Sequence, residues 1–387
     1  MNLLPLLHYK YTAFIWNAVG TPLSALGIPF AAPPVIELPI GISFFTFQAI
    51  SYLADVYTRK VAPARRLVDF GAYHSMFPQL IAGPIVRYVE VEPAIRDRRW
   101  NLDRAADGIF RFCIGLGKKI IIADTMATVV DPVFALPANE LTFGIAWFGV
   151  LCYTLQIYYD FSGYSDMAIG LGKLLGFDFP ENFDQPYRSR SITEFWHRWH
   201  MTLSRWFRDY VYIPLGGNRE GAGATYRNLF IVFFLCGLWH GAGYTFLAWG
   251  LFHGGLLAAE RLYRYHIGAL PCGPAAWLVT FLLVVIGWVL FRSSTLGQAG
   301  HFLATMFGMA YPEVVYYDLL HFLTPHAAFF ALWGLAFAFI PFDWFSWRME
   351  GRPIVFAGKS VAALLVFGYG VVMLSANSFN PFIYFRF

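Results

Sequence analysis

Residues 229–259 read LFIVFFLCGLWHGAGYTFLAWGLFHGGLLAA and contain no Asp, Glu, Lys or Arg. As one straight helix the run would extend about 46 Å, at 1.5 Å per residue. That is too long for a single upright crossing of a hydrocarbon core roughly 30 Å thick, and too short for two crossings with a turn. Gly237, Gly241 and Gly243 surround His240, so a break or kink is expected there. Irregular backbone at membrane depth is tolerated only where protein buries it or water lines it. A histidine beside such a break marks a candidate site rather than a lipid contact.

Further apolar segments lie near 11–31, 36–54, 67–86, 105–130, 141–159, 275–291, 327–342 and 354–375. They lack the alternating blocks of about ten residues that build an outer-membrane barrel. Across the chain, AVILMFWYC residues make up 58% and charged residues only 13%. Soluble domains carry roughly 45–50% apolar and about 25% charged residues. A soluble fold of this size could not hide so much apolar side chain. An ordinary cytosolic enzyme, a disordered chain, a fibrous repeat and a nucleic-acid binder are therefore excluded. The expected fold is all-α: one polytopic membrane helix bundle over residues 1–387, with the lipid bilayer as partner and no nucleic acid.

The remaining composition fits that class. Net charge is only +4, as basic membrane-flanking loops would give, and 40 Phe, 22 Tyr and 13 Trp suit lipid-facing surfaces and interfacial belts. Cys113, Cys152, Cys236 and Cys272 show no CxxC spacing and read as small hydrophobes. The start of the chain lacks the basic and compact apolar regions of a cleavable signal.

Loops carry the topology. Arg59, Lys60, Arg65 and Arg66 precede segment 67–86, and Arg87, Arg96, Arg98, Arg99 and Arg104 follow it. If both loops are cytoplasmic, the segment cannot cross once. Pro78, Gln79, Gly83 and Pro84 interrupt it, which predicts a re-entrant hairpin. Residues 137–140 lack Lys and Arg and are expected outside. Residues 173–228 alternate Trp196, Trp199 and Trp206 with Arg198, Arg205 and Arg208, predicting interfacial amphipathic helices, with Thr193 as a cap.

Three clusters offer chemistry. A neutral imidazole at His240 can take a proton from a hydroxyl, as a general base does; a structural histidine bonded across helices is the competing reading. Glu194, His197 and His200 form ExxHxxH, loosely one face of a helix, which suits a metal site, a proton relay or merely a solvated interface. In YYDFSGYSDMAIGLGKLLG, Asp160, Ser162 and Asp166 close an apolar helix, to bind a ligand, orient a histidine or cap the end. His74, His253, His301, His321 and His326 sit singly and read as structural or interfacial.

FFTFQAISYLADVY (44–57), PQLIAGPIVRY (78–88), YYDFSGYSDMAIGLGKLLGFDFPENFDQPY (158–187), FWHRWHMTLSRWFRDYVYIPLGGNR (195–219), GLWHGAGYTFLAWGLFHG (237–254) and the ending NPFIYFRF together resemble the membrane-bound O-acyltransferase family, most closely its bacterial alginate O-acetyltransferase branch. The resemblance implies a multi-pass protein of the bacterial inner membrane that moves acetyl from a cytoplasmic donor, acetyl-CoA, to an extracytoplasmic polysaccharide hydroxyl, with a separate periplasmic acetyltransferase partner. It implies alginate as acceptor, with cellulose or peptidoglycan served by the same chemistry. His240 would be the catalytic base and His200 its companion, supported by Trp239, Asp160, Ser162, Asp166, Trp199 and His197, with no metal and no bound cofactor. Members of the family generally begin with about two further helices before the stretch equivalent to 3–11. Two rival readings are a di-iron desaturase, which needs more clustered histidine boxes, and a transporter of a polymeric or lipid-linked substrate.

Overall fold

In a computed structural model, which describes residues 2–340, 353–376 and 382, all regular structure is helical. The helices that position the site are α1 (Thr12–Ala25), α2 (Ile42–Tyr57), α3 (Leu67–His74), α4 (Leu102–Gly117), α5 (Phe143–Leu174), α6 (Ile192–Arg198), α7 (Met201–Phe207), α8 (Ala222–His240), α9 (Tyr244–His266) and α10 (Pro274–Arg292). Among the described residues, α8, α10 and the helix Phe356–Ala376 are long and apolar enough to cross a membrane.

The 32-residue α5 is the central mast, started by the Thr142 side chain, which accepts from the Ile145 amide. Its closest neighbour is α4, running antiparallel. Gly108 faces Gly170 and Gly115 faces Gly163 across the contact, a seven-residue repeat on both helices. A Cβ on Gly115 would stand 2.5 Å from the Gly163 carbonyl oxygen, so only glycine lets the two backbones approach this closely. A π-helical stretch, Lys118–Ala123, then carries successive lysines to two carboxylates of the mast: Lys118 Nζ lies 2.6 Å from Asp166 and Lys119 Nζ 2.8 Å from Asp160.

Segment 67–86 doubles back as expected. After α3 only the short helix Phe77–Leu80 forms, and the Tyr73 hydroxyl donates to the Val86 carbonyl at 3.1 Å, drawing the ends of the excursion together. Gln79, Gly83 and Pro84 are buried in protein, where interrupted backbone is permitted.

The run 229–259 does break beside His240, and of its two arms only α8 is long and apolar enough to cross a membrane. α8 and α9 form an antiparallel hairpin because each extends past the apolar run, α8 back to Ala222 and α9 on to His266. The arms touch where a Cβ on Gly250 would meet the Phe233 carbonyl oxygen. Two expectations fail in 173–228. Trp196, Trp199 and Trp206 are buried in the main core instead of lying at an interface, leaving the arginines to the rim. The α6 cap is Ser191, whose hydroxyl accepts from the Glu194 amide at 3.0 Å; Thr193 instead donates to Glu260. Cys113, Cys152 and Cys236 are buried, Cys272 is exposed, and all are free thiols. The ending NPFIYFRF lies, apart from Phe382, outside the described residues.

Candidate active site

His240 is the last residue of α8. Gly241 follows in extended conformation and ends the helix, which leaves carbonyls of the last turn without helical partners. The N-terminal segment satisfies them: Lys10 Nζ donates to the Trp239 carbonyl at 2.6 Å and to Ser43 Oγ at 3.2 Å, and the Tyr11 hydroxyl donates to the Leu238 carbonyl at 2.8 Å. A cation at a helix C-terminus is also favoured by the helix dipole. The His240 ring is walled by Trp239, Trp249 and Phe291, with ring centres 4.9–5.2 Å away. His240 and Trp239 line a cavity of about 100 Å³ together with Lys10, Gly41, Phe44 and Ile81. This cavity sits at the start of α2, whereas the basic loop 58–66 follows its end. Sixteen helical residues, about 24 Å of rise, separate the two.

His200 reaches the same place by a different route. It stands between α6 and α7 with φ 43° and ψ 53°, the left-handed region that a non-glycine residue occupies at a cost of about 1–2 kcal/mol. Two backbone bonds clamp the reversal: the Asp184 amide donates to the Arg198 carbonyl at 2.9 Å, and the Met201 amide to the Asn182 carbonyl at 3.0 Å. The preceding Trp199 is fully buried against Trp288 and Phe195. The fully buried His200 ring lies 6.4 Å from that of His240 and 5.8 Å from Trp239. Its Nδ1 is 3.1 Å from Asn182 Oδ1.

The ExxHxxH spacing does not make one face. α6 ends at Arg198, so His200 turns inward while His197 is exposed, lining a separate cavity of about 460 Å³ with Trp196, Arg205 and Phe233. Glu194 pairs with Arg198. His197 is therefore not brought to the His240 cavity, and the three residues do not converge as a ligand set.

Asp160 and Asp166 are both held by cations of neighbouring elements. Besides the lysines, Arg111 bonds Asp166 at 2.8 Å and Glu181 at 2.5 Å, so the carboxylates are held within ion pairs between helices. Asp166 and Ser162 do line a third cavity, of about 430 Å³, with Arg111, Lys118, Asn182 and Met201. Asn182 thus faces this cavity on one side and His200 on the other. His240 lines one cavity, and Asn182, the hydrogen-bond partner of His200, lines another.

Three residues of the site carried no signal in the sequence. Lys10 sits far from the other motifs, Asn182 lies inside the PENFDQPY stretch, and His253 read as an isolated histidine. His253 is fully buried, its ring 5.1 Å from Trp249, which in turn packs on His240. The strongest available hint was that PENFDQPY holds four polar residues bracketed by prolines a few positions before FWHRWH.

Comparison with known proteins adds the following. The model of the membrane-bound O-acyltransferase family matches residues 42–291. A probable alginate O-acetylase AlgI of Pseudomonas putida is 42% identical over 409 residues, covering 98% of this chain and 81% of that protein. A peptidoglycan O-acetyltransferase of Helicobacter pylori is 42% identical over 304 residues, 70% of this chain and 57% of its own. A teichoic acid D-alanyltransferase of Bacillus subtilis is 29% identical over 304 residues, 74% and 72% of the two chains. The matched region, 42–291, runs from α2 to Phe291 and includes both histidines.

Proposed function

This chain belongs to the membrane-bound O-acyltransferase family, and we propose that it moves acetyl groups from acetyl-CoA at the cytoplasmic face to a hydroxyl of alginate or of a periplasmic partner that completes the transfer. It is a membrane O-acetyltransferase of polysaccharide, and the relatives that align over nearly the whole chain favour alginate over peptidoglycan. The inner membrane follows from a donor made in the cytoplasm and a polymer modified outside it.

In this reading His240 Nε2 or Nδ1 takes the proton of the attacking hydroxyl as its oxygen bonds to the thioester carbonyl. The tetrahedral intermediate collapses, the C–S bond breaks, and the CoA thiolate leaves and accepts that proton. Thioester and ester are close in energy, so positioning and base catalysis carry the rate. The aromatic wall of Trp239, Trp249 and Phe291 keeps bulk water from the acyl carbon. The Arg111–Lys118 cavity supplies a polar approach for the donor, and the small cavity at Lys10 and Gly41 an approach for the acceptor edge.

The observation that carries this reading is the position of His240 on one cavity with His200 6.4 Å behind it, next to a second cavity. The test uses alginate-producing cells lacking their own acetylase but keeping its periplasmic partners. Expression of this chain is expected to restore O-acetyl groups on the secreted polymer, measured by proton NMR. Unacetylated alginate, with the chain present in the membrane, would sink the assignment.

A further inference from the structure

We propose that Asn182 is a positioning residue that fixes the His200 ring in the tautomer protonated on Nδ1, leaving Nε2 as a proton-accepting lone pair next to His240. The inference deepens the transferase reading, and rests on it for its catalytic meaning but not for its structural content.

The orientation of the Asn182 carboxamide is set by backbone amides, which can only donate. The Ile85 amide donates to Thr202 Oγ1 at 3.0 Å, so that hydroxyl's own proton is free to go to Asn182 Oδ1, 2.8 Å away. The Thr202 amide also donates to Asn182 Oδ1, at 3.2 Å. An amide N–H facing the carboxamide fixes its orientation, because a flipped side chain would set NH2 against N–H. The oxygen therefore faces His200, and an oxygen that only accepts requires Nδ1 to carry hydrogen. Asn182 Nδ2 donates in turn to Ser165 Oγ at 3.1 Å.

The network is almost wholly buried: His200, Asn182, Thr202 and Ser165 are all at most 2% exposed. Nε2 of His200, also buried, has no hydrogen-bond partner among the described residues. Unpaired buried polar atoms are disfavoured, so an open Nε2 beside a bonded Nδ1 calls for a role. One nitrogen held by an obligate acceptor and the other left open is the arrangement that prepares an imidazole to receive a proton. The left-handed backbone at His200 is strain of the kind that persists where the surroundings over-determine a position.

The test is nitrogen-15 NMR of the full-length protein, labelled at histidine and held in detergent or nanodiscs, with the His200 signals assigned by their loss in His200→Gln. The expected spectrum shows a protonated Nδ1 and an unprotonated Nε2 at neutral pH; a proton on Nε2 would overturn the proposal. Because this readout needs no acyl transfer, it stands even for a protein that proves to acetylate nothing, while loss of transfer with the tautomer intact would count against the transferase reading alone. In the working enzyme, Asn182→Asp keeps an oxygen toward His200 and Thr202, and its negative charge favours the protonated ring. The acid limb of kcat/KM is expected to move to higher pH. Asn182→Leu should lower kcat at least tenfold with KM little changed. An acid limb that does not move in folded Asn182→Asp would overturn the proposal.

Discussion

Glu260, on α9, holds together the two elements that deliver the histidines. Its carboxylate accepts from the Ile192 amide at 2.5 Å, from the Thr193 amide at 3.0 Å and from the Thr193 hydroxyl at 2.7 Å. The start of α6 is thus pinned, by charge-assisted bonds, to the helix that begins just after His240. Glu260→Ala removes all three bonds. At about 1.5 kcal/mol each, discounted because the side chain is only half-buried and water can replace part of the loss, the cost is about 2–4 kcal/mol. Glu260→Gln keeps one oxygen but sets an NH2 against a backbone amide, which removes at least one bond and weakens the others, for about 1–2 kcal/mol. A slackened α6 shifts His200 at its far end. Misplacement by about 1 Å can cost a hundredfold in rate, so kcat for Glu260→Gln is expected to fall about tenfold. Thermal unfolding in detergent and acetyl transfer from labelled donor check the two halves separately. Wild-type stability and turnover in both variants would refute the idea that this strap positions the site.

Other outcomes follow from the packing and the charges. Gly115→Ala places a methyl 2.5 Å from the Gly163 carbonyl, which overpacks the α4–α5 contact and should lower stability by about 1–3 kcal/mol, visible as a reduced melting temperature. His197→Ala should leave acetyl transfer essentially unchanged in the same assay that silences a His240 variant, because His197 is exposed on a separate cavity. Asp209 bonds Arg87 at 2.8 Å and Arg208 at 2.7 Å; burial acts to raise its pKa, but the Arg208 bond and the charges of Arg208, Arg87 and Lys60 outweigh it and hold it below the usual carboxylate range. A depressed value means stability present above the unfolded pKa of about 3.9 and lost as pH falls through the folded one. Melting temperature should therefore drop in that acid window, and Arg87→Gln should flatten the drop.

Much of the helical layout was legible because its signals are local. The glycines around His240 announce a break, and prolines with a glutamine inside 67–86 announce an excursion that cannot be a plain crossing. What remained hidden depends on partners far along the chain or on one unusual dihedral angle. Nothing in FWHRWH says that the helix stops at Arg198 and that His200 turns left-handed, yet that single residue decides which histidine enters the core. Asp160 and Asp166 read as ligands or caps because their cations, Lys119, Lys118 and Arg111, lie some forty to fifty-five positions earlier on another helix. The tryptophans of 173–228 looked interfacial because alternation with arginine does not reveal which side faces the bundle. The paired glycines at 108 and 115, and at 163 and 170, are visible in the chain, but their meaning appears only when the two helices are laid antiparallel.

The central claim is that His240 removes the acceptor proton, and the kinetics of His240→Ala and His240→Gln address it directly. General base catalysis contributes roughly a hundredfold to ten-thousandfold. Both variants, folded and with unchanged melting temperature, are expected to lose kcat for acetyl transfer by that margin, in a measurement of labelled acetyl appearing on the acceptor. Turnover within about threefold of wild type in either variant, far inside the range expected of a lost base, would contradict the account.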